Sequence, residues 1–339
     1  MGYTLPARPK PSRKKFFIGV IPDVHVGYIG DTPTYSIAAW DIAMQALRHE
    51  VERLTHVVII GDFGNWESLS HWASLRAEQA FVEEDIALVR GRLAEVFALN
   101  DIRPKRMAPI QFVFCEGNHE SWASLLEAKY PQMRDTVNLR RRLDFRGPGR
   151  LWVPENHFWA IGDIHFTHGH MKGNNKVGDL CLRQGISVVQ GHTHALRTAS
   201  VRTVDRELEQ WEMGCLASID PPPPYTRGAL PSAWVHGLGW VRVRSNGAFQ
   251  VSFSRIFEEA YTELADGTEL RVDGRMCVKR YDEDQRIRDR LRAEYSDRFY
   301  HTGGPVLRTE PHHGKTTRRG VSDIARTRRA RIVRTLPGG

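Results

Sequence analysis

Short apolar runs that stop at Gly, Asp or Asn recur along this chain, and the stretches between them have helical spacing. FFIGVIP, at 16–22, gives way to Asp and predicts a buried strand feeding a loop. Next, Trp40, Met44, Leu47, Val51 and Leu54 recur at steps of four and three, which predicts an amphipathic helix over about 35–54. HVVII, at 56–60, is apolar and β-branched and ends at Gly61-Asp62. Together these make a β-α-β unit. The pattern then repeats: Val82, Ile86, Val89, Leu93 and Val96 mark one stripe of a helix expected over about 72–99, and the strand IQFVFC, 110–115, runs into Gly117-Asn118-His119-Glu120.

Beyond residue 150 the elements shorten. FWAIG and IHFT (158–167) read as strands, a short helix is expected near 175–184, and ISVVQ (186–190) is a strand ending at Gly191-His192-Thr193-His194. WVRVR and FQVSFSRIF flank Asn246-Gly247, the signature of a hairpin. PPPP at 221–224 predicts a rigid surface loop, because proline lacks the donor a central strand needs. From Glu258 the chain is strongly polar, with a helix expected over 281–299. No internal repeat is present.

Composition narrows the class. The 339 residues are 41% hydrophobic and 26% charged, an ordinary globular balance that excludes collagen, coiled coil and wholesale disorder. The longest apolar stretches, such as Val57–Ile60 and Ile110–Cys115, are far shorter than the roughly 18–20 residues a membrane helix needs. Lys14-Lys15 precede an apolar run ending at Pro22 with no cleavage-like site, so export by a standard signal is not expected. Cys115, Cys181, Cys215 and Cys277 are widely spaced without a C-x-x-C pair, which argues against a disulfide framework or a thiolate zinc site and for a reducing cytoplasm.

The net charge of +8 is concentrated at the ends: residues 301–339 hold nine Lys or Arg against two acids, and 1–15 hold five and none. The body between them is slightly acidic. A basic tail on such a body can reach DNA or RNA, although a solvated tail gives the same pattern. The expected organisation is a basic N-terminal extension (1–15), a main domain (16–257), a polar extension with a helix (258–300) and a basic tail (301–339). The Gly-Gly end reads as flexible by default.

The chemistry is concentrated in five segments that follow predicted strands: Asp23-x-His25, Gly61-Asp62, Gly117-Asn118-His119-Glu120, Thr167-His168-Gly169-His170 and Gly191-His192-x-His194. Strand ends are where α/β proteins assemble sites. Carboxylate and amide oxygens mixed with imidazoles, without thiolates, suit Mn²⁺, Fe or Zn²⁺, with Ni²⁺ a further candidate and Mn²⁺ the expected ion. Two divalent ions fit this supply better than one, since a carboxylate can bridge them and a shared water can be activated for attack on a phosphoryl group. Each segment also has a plain structural reading. Asp62 could cap a helix, Gly117-Asn118 could be a turn, and isolated histidines such as His56, His71 and His236 read as structural. Explaining all five segments that way requires five coincidences.

D-x-H, G-D-x-x-N, G-N-H-E, H-G and G-H-x-H, in this order, resemble the calcineurin-like metallophosphoesterase superfamily over roughly residues 16–195. PDVH, SLSHW, GHTH and MGCLASIDP are most similar to phosphoesterases of phages and prophages. The resemblance implies an α/β fold, a four-layer αββα sandwich of two mixed β-sheets flanked by helices. By matching motif positions it implies that Asp23, His25 and His194 bind one metal, that Asn118, His168 and His192 bind the second, and that Asp62 bridges them. His119 matches the family residue that acts at the leaving oxygen without being a ligand, with Asp23 as the expected orienting carboxylate. A metal-bridging hydroxide would be the nucleophile. His170 would stand behind the ligands or in the pocket wall, for which Asn65 and Trp66 are further candidates.

Departures from subfamily patterns narrow the substrate. Phosphoprotein phosphatases of this superfamily place Arg where this chain has Glu116 and Trp66, so that activity loses ground. DVHVGY is similar to the opening of DNA nucleases in the superfamily, and the helical stretch at 72–99 sets it apart from small cyclic-nucleotide phosphodiesterases. The expectation is a hydrolase, a metal-dependent phosphodiesterase or phosphatase in which nucleic acid or a nucleotide is the favoured substrate. The alternative from another class is a catalytically silent, metal-bearing nucleic-acid-binding or scaffold protein. The sequence is silent on oligomeric state.

Overall fold

The computed structural model describes residues 14–70, 81–169, 177–204, 206–219 and 233–300. His71, His170, the proline run at 221–224, most of the basic N-terminal extension and the whole basic tail lie outside these residues. In the first half are strands β1 (Phe16–Ile21), β2 (Tyr28–Ile29) and β3 (Thr32–Pro33), helix α1 (Ile37–His49) and strand β4 (His56–Ile59). Helices α2 (Val82–Phe97) and α3 (Leu99–Ile102), strand β5 (Gln111–Cys115), and helices α4 (Asn118–Lys129), α5 (Arg134–Val137) and α6 (Leu139–Arg142) follow. Then come strands β6 (Arg150–Val153), β7 (Trp159–Ile161) and β8 (Ile164–Thr167), helix α7 (Asp179–Gln184), and strands β9 (Ser187–Gln190), β10 (Leu196–Arg202) and β11 (Glu207–Met213). The last elements are strands β12 (Gly237–Val243), β13 (Phe249–Arg255), β14 (Tyr261–Glu263) and β15 (Glu269–Arg271) and helix α8 (Gly274–Tyr300).

Two mixed sheets organise the fold. The larger has the order β13-β12-β1-β4-β5-β6, the smaller β10-β11-β9-β8-β7. In the larger, β1, β4, β5 and β6 run parallel, as continuous apolar strands joined through helices must. Strand β12 adds to β1 antiparallel, and β13 returns antiparallel beside it. In the smaller sheet β8, β9 and β11 are parallel, with β7 and β10 antiparallel at the edges.

One apolar layer joins the sheets: Ile18, Val20, Val58 and Val113 from the larger pack with Ile164, Phe166, Val189 and Met213 from the smaller. Alternation along each strand turns the intervening residues outward onto helices. Gly19 in β1 shows how close α1 lies, since a Cβ there would sit 2.6 Å from Leu47. On the outer side of the smaller sheet, Leu180 and Cys181 of α7 pack on Val188 and Leu208. The protein is therefore a mixed α/β structure of two large sheets with flanking helices.

Several boundaries differ from the sequence reading. Helix α2 starts at Val82, where Phe81 is extended at φ −117° and ψ 129° and Glu83, Glu84 and Asp85 fill the first turn where the helix dipole favours acids, while the stretch 71–80 of the helix expected over 72–99 lies outside the described residues. Helix α1 ends at His49, yet Val51 and Leu54 stay buried, so the apolar period outlasts the helix. The Asn-Gly hairpin forms as expected, with Val243 opposite Phe249 and Gly247 at φ +92°.

One compact unit runs to Cys277. It takes in the β14–β15 hairpin, which Gln45 and Asp41 of α1 tie down through the Arg271 carbonyl and the Asp273 N–H. The remainder, from Val278, is a second unit whose described part continues α8, seven residues longer at its start than the expected 281. All four cysteines are free and buried. Among the described residues no helix is long and apolar enough to cross a membrane.

Candidate metal centre

The parallel strands β1, β4 and β5 of the larger sheet and β8 and β9 of the smaller are each followed, at the carboxyl end, by one of the five polar segments. Asp23, His25, Asp62, Asn118, His168, His192 and His194 all come together there. Their acidic and imidazole atoms form three groups, each with all ligand atoms within 4.8 Å: Asp23 with His25 and His194, His25 with Asp62 and His119, and Asp62 with His168 and His192. These groups can hold a metal ion. Asp62 and His25 each belong to two groups, so the three are continuous.

The distances suit coordination. Ligand atoms around one ion with bonds of about 2.1 Å stand roughly 3.0–3.4 Å apart. His25 Nε2 lies 3.1 Å from His194 Nε2, His194 Nε2 3.4 Å from Asp23 Oδ1, and His168 Nε2 3.3 Å from Asp62 Oδ2. His168 Nε2 and His192 Nδ1 both stand 2.9 Å from the same Asn118 Oδ1. His168 Nδ1 bonds the Ile60 carbonyl at 2.8 Å, which orients Nε2 inward as a ligating nitrogen. No cysteine belongs to these groups, and burial, with the Asp23 carboxylate near it, pushes the Cys215 thiol well up.

Charge is balanced inside the cluster. Burial alone would raise the Asp62 pKa, but His168, His119 and His25 hold it well below the usual carboxylate range. Burial opposes charge on His168, yet Asp62 and Asp23 lift it to about 10, so a metal cation would take the place of a proton there. His25 is kept neutral by burial and by the neighbouring His119 and His194.

The loops reach these positions through strained backbone. His25, Asp62, His192 and His194 have φ of 58°, 44°, 68° and 56°, a left-handed conformation uncommon outside glycine. Such outliers persist only where the surroundings over-determine them. Asp23, fully buried, accepts the His192 N–H through Oδ1 at 2.9 Å and Oδ2 at 3.1 Å. The backbone N–H groups of Val24 and His25 both bond the Asp62 carbonyl, stitching the first loop to the second.

Glu120 does the most of this fastening. Its buried carboxylate accepts N–H groups from Asp62 (2.8 Å), Phe63 (3.0 Å), Gly64 (3.1 Å) and Gly117 (3.1 Å) and the Trp66 indole (2.9 Å). Burial and the Asp62 charge push it up to about 7 against the pull of those donors. Trp66, fully buried and spent on this bond, is part of the scaffold rather than the pocket wall it was expected to form.

A second buried acid was not anticipated. Glu212 of β11 accepts Thr193 Oγ1 at 2.9 Å, between the two ligand histidines of G-H-T-H, and also Gln190 Nε2 at 3.2 Å. Arg197 balances it at 2.6 Å. The legible signal was Leu208-x-Gln210-x-Glu212, polar residues on the face of a strand where alternation demands apolar ones.

His119 sits beside the cluster, its ring 4.6 Å from that of His25 and 4.2 Å from that of Trp122. Its N–H bonds Asp62 Oδ1 at 2.9 Å. The expected orienting carboxylate, Asp23, is replaced by a backbone group: Nδ1 bonds the Asn65 carbonyl at 2.8 Å. Asp23 instead faces His192 and His194, because the loop after β1 turns its side chain toward the smaller sheet. The Asn65 side chain is buried with no hydrogen-bond partner among the described residues for either amide atom. His236 bonds the Ala217 carbonyl, and His56 meets the Phe16 ring edge to face.

No protein-family model matches the chain, and no curated protein matches it.

Proposed function

We propose that this protein is a dinuclear metal-dependent phosphoesterase of the calcineurin-like kind, similar to those of phages and prophages, with the four-layer αββα sandwich of that superfamily. The observation that supports it most is the convergence of five separate segments, from Asp23 to His194, on one continuous cluster in which Asp62 belongs to two ligand groups. The donor set of carboxylate, amide and imidazole fits hard or borderline divalent ions, Mn²⁺ first. Asp23, His25 and His194 would hold one ion, Asn118, His168 and His192 the other, and Asp62 would be shared. When bound, the ions would supply Lewis acidity and an activated water.

The chain's own residues do the rest. Glu120 and Asp23 hold the loops so that the ligand atoms need no reorganisation. His119, with Nδ1 fixed on the Asn65 carbonyl, presents Nε2 as the nitrogen that can carry a proton to a leaving oxygen. Glu116, at the position where a phosphatase would have Arg, is occupied by Ser124 and Trp152 and makes no cationic clamp, which favours a diester over a phosphoprotein.

The deciding experiment is hydrolysis of bis-p-nitrophenyl phosphate beside p-nitrophenyl phosphate with added Mn²⁺, using Asp62→Ala and metal-stripped protein as controls. Diester hydrolysis that needs both the metal and Asp62 is the expected result. With Asp62→Ala the rate should fall to background and the bound metal should drop. Absence of turnover in protein shown to contain two ions would sink the enzymatic reading.

A further inference from the structure

At the opposite end of β1 from the metal centre, the antiparallel register sets Phe16 against Val243 and Phe17 against Arg242. Just beyond the outermost pair, Lys15 precedes β1 and Arg244 follows β12. A cleft of about 800 Å³ opens there, lined by Lys15, Arg53, Arg242 and Arg244 with Asn246 and Gln250, and no acidic side chain is among its lining residues. Arg53 gives its charge to Glu50, at 3.0 and 2.7 Å. Among the described residues no carboxylate pairs with Lys15, Arg242 or Arg244. Like charges set across neighbouring strands weaken a sheet, so this concentration is unfavourable to the fold by itself. Residues that break a local rule without a structural gain mark functional places.

The geometry selects the ligand. Phe17 lies under Arg53 at 4.6 Å and Arg242 at 5.5 Å and stacks on Trp240 at 5.7 Å, so its ring is covered and offers no face to a nucleobase. Phe16 and Val243 also line the cleft, but Val243 is buried and Phe16 is half-buried against His56, so its exposed side chains are the cations and amides rather than an apolar surface for a bilayer. What remains is a set of exposed guanidinium and ammonium donors with amides between them, suited to phosphate oxygens and indifferent to sequence. We propose that this cleft docks the phosphodiester backbone of nucleic acid, about 20 Å along β1 from the metal centre. The inference concerns binding alone and stands whether or not the metal centre turns over.

The test is anisotropy of a labelled single-stranded oligonucleotide with the full chain in EDTA, titrated between about 50 and 200 mM salt. Removing each phosphate-contacting cation lowers the slope of log affinity against log salt by about 1, so Arg242→Gln with Arg244→Gln should lower it by about 2. Lys105→Gln with Arg106→Gln, the same charge change on another exposed surface, should leave the slope unchanged. The basic tail contributes equally to every variant and cancels. An unchanged slope in the cleft variant, or an equal fall in the control, overturns the proposal. So does binding to phosphatidylserine vesicles that depends on Arg242 and Arg244 while oligonucleotide binding does not. Should the double variant unfold, Lys15→Gln alone reads the same slope, with an expected fall of about 1.

Discussion

The two ends of strand β1 are built by different means. At the carboxyl end, four non-glycine residues, His25, Asp62, His192 and His194, hold left-handed backbone, and buried acids fasten the loops that carry them. At the amino end, the cations stand on a regular antiparallel ladder without any such outlier. Left-handed non-glycine conformations cost about 1–3 kcal/mol each, and they persist where several side chains must meet within tenths of an ångström. A patch that only attracts phosphate needs charge and exposure, which strand register supplies. The difference teaches that strain in this fold follows the demand for geometry rather than the demand for charge.

That contrast can be broken or sharpened experimentally. After the loss of turnover expected of Asp62→Ala, the largest effect is at His119: His119→Ala should keep the bound metal and lose about 10²–10⁴-fold in rate, most for substrates with poor leaving groups. Steady-state rates beside metal content per chain check it, and loss of metal in the variant would make His119 a ligand instead, as its grouping with His25 and Asp62 allows. Next comes the fastening acid behind G-H-T-H. Glu212→Gln should weaken metal affinity about 10–100-fold by loosening Thr193, measured by calorimetric titration of stripped protein. An unchanged affinity would mean that the loop holds itself.

A smaller effect lies one step further from the cluster. Asp85 of α2 accepts the N–H and hydroxyl of Ser68, at the far end of the loop that begins at Asp62. Burial pushes its carboxyl from 3.8 up to about 7. The folded protein therefore holds this proton where the unfolded chain has lost it, so the stability it confers is present below about pH 4 and is lost as pH rises toward 7. Asp85→Asn should flatten that decline in denaturant midpoints measured across the window. The smallest effect belongs to the amino end, where Arg244→Gln should raise stability by a few tenths of a kcal/mol by relieving repulsion from Lys15. A loss of 1 kcal/mol or more, roughly the scale of a broken structural contact, would show that Arg244 holds the hairpin rather than awaiting a ligand.

Much of the carboxyl end was legible because its chemistry sits in short local motifs after apolar strands. Asp23, His25, Asp62, Asn118, His168, His192 and His194 are each visible as a polar residue at a predictable strand end. The fastening was not. Glu212 lies in ELEQWEM, where alternation marks Gln210 and Glu212 as polar residues on a buried face but does not tell that they back the loop ending at His194. The Asn65 carbonyl that orients His119 is a main-chain group, invisible to side-chain pattern, which is why a carboxylate was expected in its place. The amino-end cleft was hidden for a third reason: Lys15, Arg53 and Arg244 are distant in sequence, and only the β1–β12 register brings the first and last together.

That same register has a consequence for how the chain is made. Phe16 cannot meet Val243 until the 227 residues from Phe17 to Val243 have been synthesised, and at 5–20 residues per second the wait is roughly 10–45 s. Throughout it, one edge of an apolar strand has no neighbour, an invitation to pair with other nascent chains. The central sheet can therefore close only after the whole stretch from β1 to β12 has left the ribosome. Its assembly, more than its finished stability, would be the step at which a cell's chaperones matter most.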